Sequence, residues 1–240
     1  MDKGIGFKRS ILLSWLDATA GFCVEASDPS GLRAALEPVV GADIRSAENR
    51  RMAIDILLAI WLKTAEAIPV LRGEALARFE ASVASAERVW LHYGLTLCAY
   101  PFFREAAAVI GGTLRQEGTF TSTRVRARLI ASRGHLGSLD DAVGRVIYSL
   151  RDWGLLREGS RRNTYEAAPQ PLDTQDASLE RWLLASALRA HPAEELPFYD
   201  LLRLPELFPF RFATTVDDLR RDPRFVVQRQ GGEWVAVRLT

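Results

Sequence analysis

The chain holds few of the residues that covalent or metal chemistry needs. Its 240 residues include two cysteines, three histidines and two methionines. Cys23 and Cys98 lie far apart in apolar surroundings (GFCVEA and LTLCAY), with no metal-ligand spacing. So few thiols speak against a disulfide framework and for a reducing compartment, with each cysteine a small buried hydrophobe. His92, His135 and His191 each stand alone. HExxH, a Gly-rich phosphate loop, a GxSxG elbow and CxxC are all missing. The sequence therefore nominates no catalytic residue, no metal ligand and no cofactor, and the expectation is a non-enzymatic protein. Long apolar runs are missing too. Ile56–Leu62, extended by Ala53 and Ile54, is interrupted by Asp55 and ended by Lys63, which is too short and too charged to span a bilayer. No signal-peptide apolar region with a small-residue cleavage site precedes it. A cytoplasmic protein of prokaryotic style, away from membranes, is expected.

Net charge of either sign is also nearly absent, at +1 overall. Its distribution is uneven. Residues 1–100 hold 11 Lys/Arg and 12 Asp/Glu, residues 101–170 hold 11 and 7, and residues 171–240 hold 9 and 11. The middle segment is thus net +4, the footprint that a weakly basic nucleic-acid module or a module for an acidic protein would leave. Arg outnumbers Lys 28 to 3. Arg forks suit phosphates and guanine edges, but the bias extends into segments with no binding signature, which favours a genome-wide codon bias as the expected source. The hydrophobic fraction of 48% is ordinary for a folded chain, and the length suits one large domain or two to three small ones.

Apolar spacing predicts a mainly α protein with small β-hairpins. Helices are expected over Phe7–Ala26, from a Ser30 cap to Gly41, from a Ser46 cap to Ala67, and over Gly73–Tyr93, with Gly94–Pro101 breaking the pattern. Residues 1–100 would form a helical bundle. Pro101 suits a first helical turn, with that helix running to Gln116 before Gly118. Thr121 or Ser122 would cap a helix to Ser132, Gly134–Gly137 would turn, and Ser138 would cap the next helix. Along that helix Val143, Val146, Ile147, Leu150 and Trp153 form a core stripe, and Gly154 ends it. Leu155–Arg157 and Thr164–Ala167 would be strands joined by a tip at Glu158–Asn163. Residues 170–178 read as a linker and 179–240 as a small α+β lobe. Within that lobe Leu179–Ala190 is helical, Val216–Arg221 is a short helix capped by Thr214 or Thr215, and Phe225–Gln230 pairs with Glu233–Arg238 around Gly231-Gly232.

The order helix, helix, turn, capped helix, hairpin in FTSTRVRARLIASRGHLGSLDDAVGRVIYSLRDWGLLREGSRRNTYEAAP resembles a winged helix-turn-helix domain, placed at 101–169. The 179–240 lobe repeats that order in degraded form and is read as a second such domain or a generic lobe. Two winged helices in one chain resemble the tandem winged-helix subunits that bind linker proteins of chromosome-organising ATPases. The resemblance implies that the third helix enters the major groove of double-stranded DNA while the wing touches the backbone or minor groove. Gly144, Arg145, Tyr148, Ser149 and Arg151 would be its solvent-facing positions. Arg145, Tyr148 and Arg151 would meet the groove, and Arg124, Arg128, Arg161 and Arg162 the phosphates, helped by Arg126, Arg133 and Arg157. Asp140 and Asp141 suit the helix dipole better than a catalytic dyad, yet they sit where bases would be read and would repel phosphates.

The leading expectation is a DNA-binding protein, or DNA-binding subunit of a larger complex, acting in transcription control, mobile-element defence or chromosome handling. A homodimer through the N-terminal helices is expected with it. The rival is a protein–protein assembly subunit with no DNA contact, for which the apolar run Phe198–Phe212 would be an interface if exposed. A small-molecule sensor comes third and requires a cavity in the N-terminal bundle.

Overall fold

The computed structural model describes residues 6–25, 28–81, 85–134, 138–170, 172–229 and 234–240. It is mainly helical, with two small antiparallel sheets. The turn residues 135–137 and the hairpin turn at 231–232 lie outside the described residues, as does His135.

The N-terminal helices are α1 (Leu13–Glu25), α2 (Pro29–Gly41), α3 (Ala47–Leu58), α4 (Thr64–Ala67), α5 (Pro69–Glu80) and α6 (Ser85–Ala99). A π-helical turn, Ala59–Lys63, joins α3 to α4. Ser46 caps α3 as expected. The cap of α2, however, is Asp28, whose carboxylate accepts from the Gly31 amide at 2.6 Å and leaves Pro29 in the first helical position. Helix α1 starts six residues later than the apolar spacing suggests. Residues 7–12 instead form a non-helical strap, with a bend at Arg9, in which the Ile11 amide and carbonyl bond to the side chains of Ser149 and Trp153, 138 and 142 positions away. The expected break at Gly94 does not occur. Gly94 lies inside α6 and lets the Trp182 ring approach its backbone, where a Cβ would come within 2.5 Å of the ring.

Helix α7 (Pro101–Glu117) ends on Gly118 at φ +75°, the left-handed conformation that glycine tolerates. Thr121 caps α8 (Ser122–Arg133) through a 3.2 Å bond from the Arg124 amide. Ser138 precedes α9 (Leu139–Asp152) without the expected side-chain cap, and Asp140 and Asp141 supply first-turn negative charge instead. The six buried hydrophobics of α9 (Leu139, Ala142, Val143, Val146, Ile147 and Leu150) recur at helical spacing and turn one face inward. Gly154 at φ +74° reverses the chain and allows the Leu155 amide to reach the Leu150 carbonyl at 2.9 Å. Strands β1 (Leu156–Glu158) and β2 (Tyr165–Ala167) pair antiparallel, with β1 one residue later than the sequence pattern suggests. Phe120, between α7 and α8, bridges Tyr165 through two backbone bonds of 3.0 and 2.8 Å. The three segments therefore lie in the order Phe120, β2, β1.

The 172–176 stretch is tied down. Leu172 bridges Phe210, and Asp176 both caps α10 and pairs with Arg78 at 2.7 Å. After α10 (Ala177–Ala190) come β3 (Glu195–Pro197), α11 (Phe198–Leu202), a 3-10 turn at Pro205–Leu207, α12 (Val216–Arg221), β4 (Phe225–Arg229) and β5 (Val235–Leu239). Thr215 and Asp218 form a capping box at α12. The sheet order is β3-β5-β4. In both sheets the segment between the first two helices pairs with the last strand.

One apolar core runs from the N-terminal helices through α7–α9 to the C-terminal lobe. Trp90, Tyr93, Phe103, Trp153 and Phe210 meet ring to ring across α6, α7, α9 and the C-terminal segment. The apolar run 198–212 is mostly core. Phe198, Leu201, Leu204, Leu207 and Phe210 are buried, and Tyr199 alone among its large apolar side chains is strongly exposed, at 64%. No helix among the described residues is long and apolar enough to cross a membrane.

Candidate nucleic-acid interface

The residues predicted to meet DNA share one region, α8, α9 and the β1–β2 hairpin, but their charges are largely spent on local acids. Arg124 pairs with Glu117 at 2.5 Å, and Arg128 reaches Thr113, Gln116 and the same Glu117. Arg126 pairs with Asp140 at 2.7 Å. Arg145 pairs with Asp141 one turn earlier on α9, at 3.2 Å. Arg151 pairs with Glu158 at 2.7 Å and lies over the Tyr165 ring. Arg157 pairs with Glu166 at 2.8 Å. These are surface pairs, each worth well under ~1 kcal/mol, so a polyanion can exchange them. The positive excess of the segment is nevertheless weaker as a field than its composition suggests.

Two arginines differ. Arg161 and Arg162 sit at the hairpin tip, both exposed, and among the described residues neither guanidinium has a carboxylate partner. Asn163, at φ 59°, takes the left-handed position of that turn. Thr164 bonds the Arg161 carbonyl through both its amide and its hydroxyl, which fixes the tip backbone.

On α9 the exposed stripe runs through Asp140, Asp141, Gly144, Tyr148 and Asp152, with Arg145 and Arg151 half-buried beside it. Its charge is three carboxylates against two guanidiniums. Tyr148 is 51% exposed. Ser149, expected to face solvent, is fully buried, because its Oγ accepts from the Ile11 amide at 2.8 Å. The strap continues along α9. Leu13 donates its amide to Asp152 at 2.6 Å, and the Trp153 indole donates to the Ile11 carbonyl at 2.9 Å. Between α9 and β1 lies a groove of about 440 Å³, lined by Tyr148, Arg151, Asp152, Leu156, Arg157 and Glu158. The side chain of Arg133 lies outside the described residues.

The lone His92 is the centre of a polar chain that the sequence does not reveal. The Trp61 indole donates to His92 Nδ1 at 3.1 Å, which leaves the proton on Nε2, 2.9 Å from Asp17. Burial pushes the His92 pKa down, against the raising effect of Asp17. Both cysteine thiols are pushed up by burial, Cys98 to about 12, as inert structural thiols are. No group of three His, Cys, Asp or Glu placed to hold a metal occurs among the described residues. A cleft of about 590 Å³ runs between the start of α5 and the last strand, past Ile68, Val70, Ala185 and Leu239. It lies at the seam with the C-terminal lobe, not inside the bundle where a sensor cavity is expected. Its Glu74 and Arg224 are already paired with each other at 2.8 Å.

No protein-family model matches the chain, and no curated protein and no solved structure matches it.

Proposed function

We propose that the protein is a non-enzymatic duplex-DNA binder built on two winged helix-turn-helix modules, and that the first wing makes its principal phosphate contact. The carrying observation is the pair of exposed, acid-free arginines Arg161 and Arg162 at the tip of an antiparallel hairpin. The wiring supports the fold reading. The order α7, Phe120, α8, α9, β1, β2 is that of a winged helix, and α10, β3, α11, α12, β4, β5 repeats it with the same strand order. In such a module the wing meets the backbone, and backbone contacts depend on charge that can be surrendered to phosphate.

Fluorescence anisotropy with a random labelled duplex across a salt series tests the reading. Binding is expected to weaken steeply with salt. Arg161→Ala with Arg162→Ala is expected to flatten the slope of log K against log salt by about 0.9 per phosphate that is no longer neutralised. A wild-type protein that ignores duplex at low salt overturns the proposal.

One observation favours a second reading, assembly with a protein partner. The first turn of α9 carries Asp140 and Asp141, which hold Arg126 and Arg145 and present negative charge where bases would be read. A pull-down recovering a stoichiometric partner from cells, with no duplex binding, would support it.

A further inference from the structure

The cleft of about 590 Å³ at the seam between the N-terminal helices and the C-terminal lobe plays no part in the DNA-binding reading. Its size is that of a small-molecule site, and such sites favour the seams between packed units. The start of α5, the C-terminal part of α10 and the end of β5 wall it. Its buried lining residues, Ile68, Leu71 and Ala185, are all apolar. This surface is held in place, because the Trp182 indole on α10 donates to the Leu71 carbonyl at 2.9 Å. Val70 and Leu239 add accessible apolar surface. Val70 is 65% exposed, the highest value for a large apolar side chain among the described residues.

Three charged side chains line the cleft, Glu74, Arg189 and Arg224. Glu74 and Arg224 are engaged with each other at 2.8 Å, and Arg224 is also held by Asp222 at 2.6 Å. Arg189, one turn beyond Ala185 on α10, is exposed, and among the described residues it pairs with no carboxylate. The cleft therefore offers an apolar surface with a single unpaired positive charge at its edge. A wholly apolar ligand gains nothing from Arg189. A cation is repelled by it and finds Glu74 already paired. A dianion meets only one unpaired guanidinium and faces Glu74. One carboxylate on an apolar body matches both features. We infer that the seam cleft binds a small apolar monocarboxylate, with its body over Ile68, Val70, Leu71 and Leu239 and its carboxylate on Arg189. The inference goes beyond the DNA-binding reading and stands or falls separately, since no cleft residue belongs to α8, α9 or the β1–β2 hairpin. Nothing in the sequence pattern marks the cleft, because its walls come from segments more than 100 residues apart.

The test uses the full chain and isothermal titration calorimetry, with decanoate as the probe, kept below the concentration at which it forms micelles. Decanol supplies the same body without the charge, and acetate the charge without the body. Decanoate is expected to bind, decanol to bind about ten-fold more weakly, and acetate to give no measurable heat. Arg189→Gln is expected to weaken decanoate about ten-fold and to leave decanol unchanged. Val70→Ser is expected to weaken both ligands about five-fold. Both positions are exposed, and circular dichroism checks that each variant is folded. Arg203→Gln, at an exposed arginine outside the cleft with no carboxylate partner among the described residues, is the control for general charge and is expected to bind decanoate as the wild type does. Equal binding of decanoate and decanol overturns the site, as does an equal loss in Arg189→Gln and Arg203→Gln. Decanoate binding that Val70→Ser leaves unchanged overturns it too, and so does wild-type protein that binds neither ligand. A chain that ignores duplex DNA yet binds decanoate in the expected pattern upholds the cleft while overturning the DNA-binding reading.

Discussion

Two titratable groups, His92 and Asp222, have specific hydrogen-bond partners that set the direction of their titration. His92 accepts from Trp61 and donates to Asp17, while Arg88 stands 3.9 Å from Asp17 and lies over the Phe79 ring. A second proton on His92 would face the indole N–H of Trp61, so the folded state keeps the ring neutral. Its pKa is lowered on folding, so the unfolded chain binds the extra proton first. Stability is therefore expected to fall as pH drops below about 6.5, by up to about 1.4 kcal/mol per pH unit from this group. His92→Gln is expected to be less stable at pH 7.5 yet flatter between pH 6.5 and 5, as measured by urea denaturation. An equally steep dependence in the variant would assign the acid sensitivity elsewhere. Asp222 behaves in the opposite sense. Burial alone would raise its pKa, but hydrogen bonds and charge from Arg224, and a hydrogen bond from Arg181, bring it down to about 2. Its contribution is complete above about pH 4 and is lost as pH falls through about 2. Asp222→Asn leaves Arg181 without its 2.9 Å partner and is expected to cost about 2 kcal/mol at pH 7.

At the scale of elements, α9 combines two demands. Its inner face closes the core around Val143, Val146, Ile147 and Leu150, and its first turn is stabilised by Asp140 and Asp141. Those carboxylates also hold Arg126 and Arg145. Replacing both with asparagine is expected to weaken the helix by about 0.5 kcal/mol per residue and to raise duplex affinity, because repulsion is removed and two guanidiniums are released. Unchanged affinity in the anisotropy assay would place the first turn away from the duplex and favour assembly with a protein. Much of this element is legible in the sequence. The spacing of the apolar stripe, Gly154 and the hairpin residues locate α9 and the β1–β2 hairpin to within a residue or two. Ser149 is the exception: helical spacing puts it on the solvent side, whereas its partner is a backbone amide on the strap, which no local pattern contains.

Across the whole molecule, the C-terminal lobe is packed closely against α6 and α7. A Cβ on Gly111 would stand 1.9 Å from the Pro205 carbonyl oxygen, and one on Gly94 would meet Trp182. The Trp182 indole donates to the Leu71 carbonyl at 2.9 Å, and the Glu180 carboxylate, buried among donors, accepts from the amides of Ala213 and Thr214. Gly111→Ala is expected to lose about 3 kcal/mol or more, since backbone must move to make room. Thermal unfolding followed by circular dichroism should then show one transition shifted down for both lobes. Two transitions, with only one shifted, would show that the lobes unfold separately.

By itself the sequence determined the mainly helical class, most helix ends, the two hairpins and the candidate arginines. Those depend on caps, glycine conformations and apolar periodicity, all of which act within a few residues. Tertiary structure decided which charges are free. Glu117, Asp140, Glu158 and Glu166 pair with arginines predicted to grip DNA, while Arg161 and Arg162 have no carboxylate partner among the described residues. It also decided that residues 7–12 are a strap, that Gly94 continues a helix and that β3 completes the second sheet. In each case the deciding partner lies on another element, and pairing between distant elements is fixed by packing and not by local pattern.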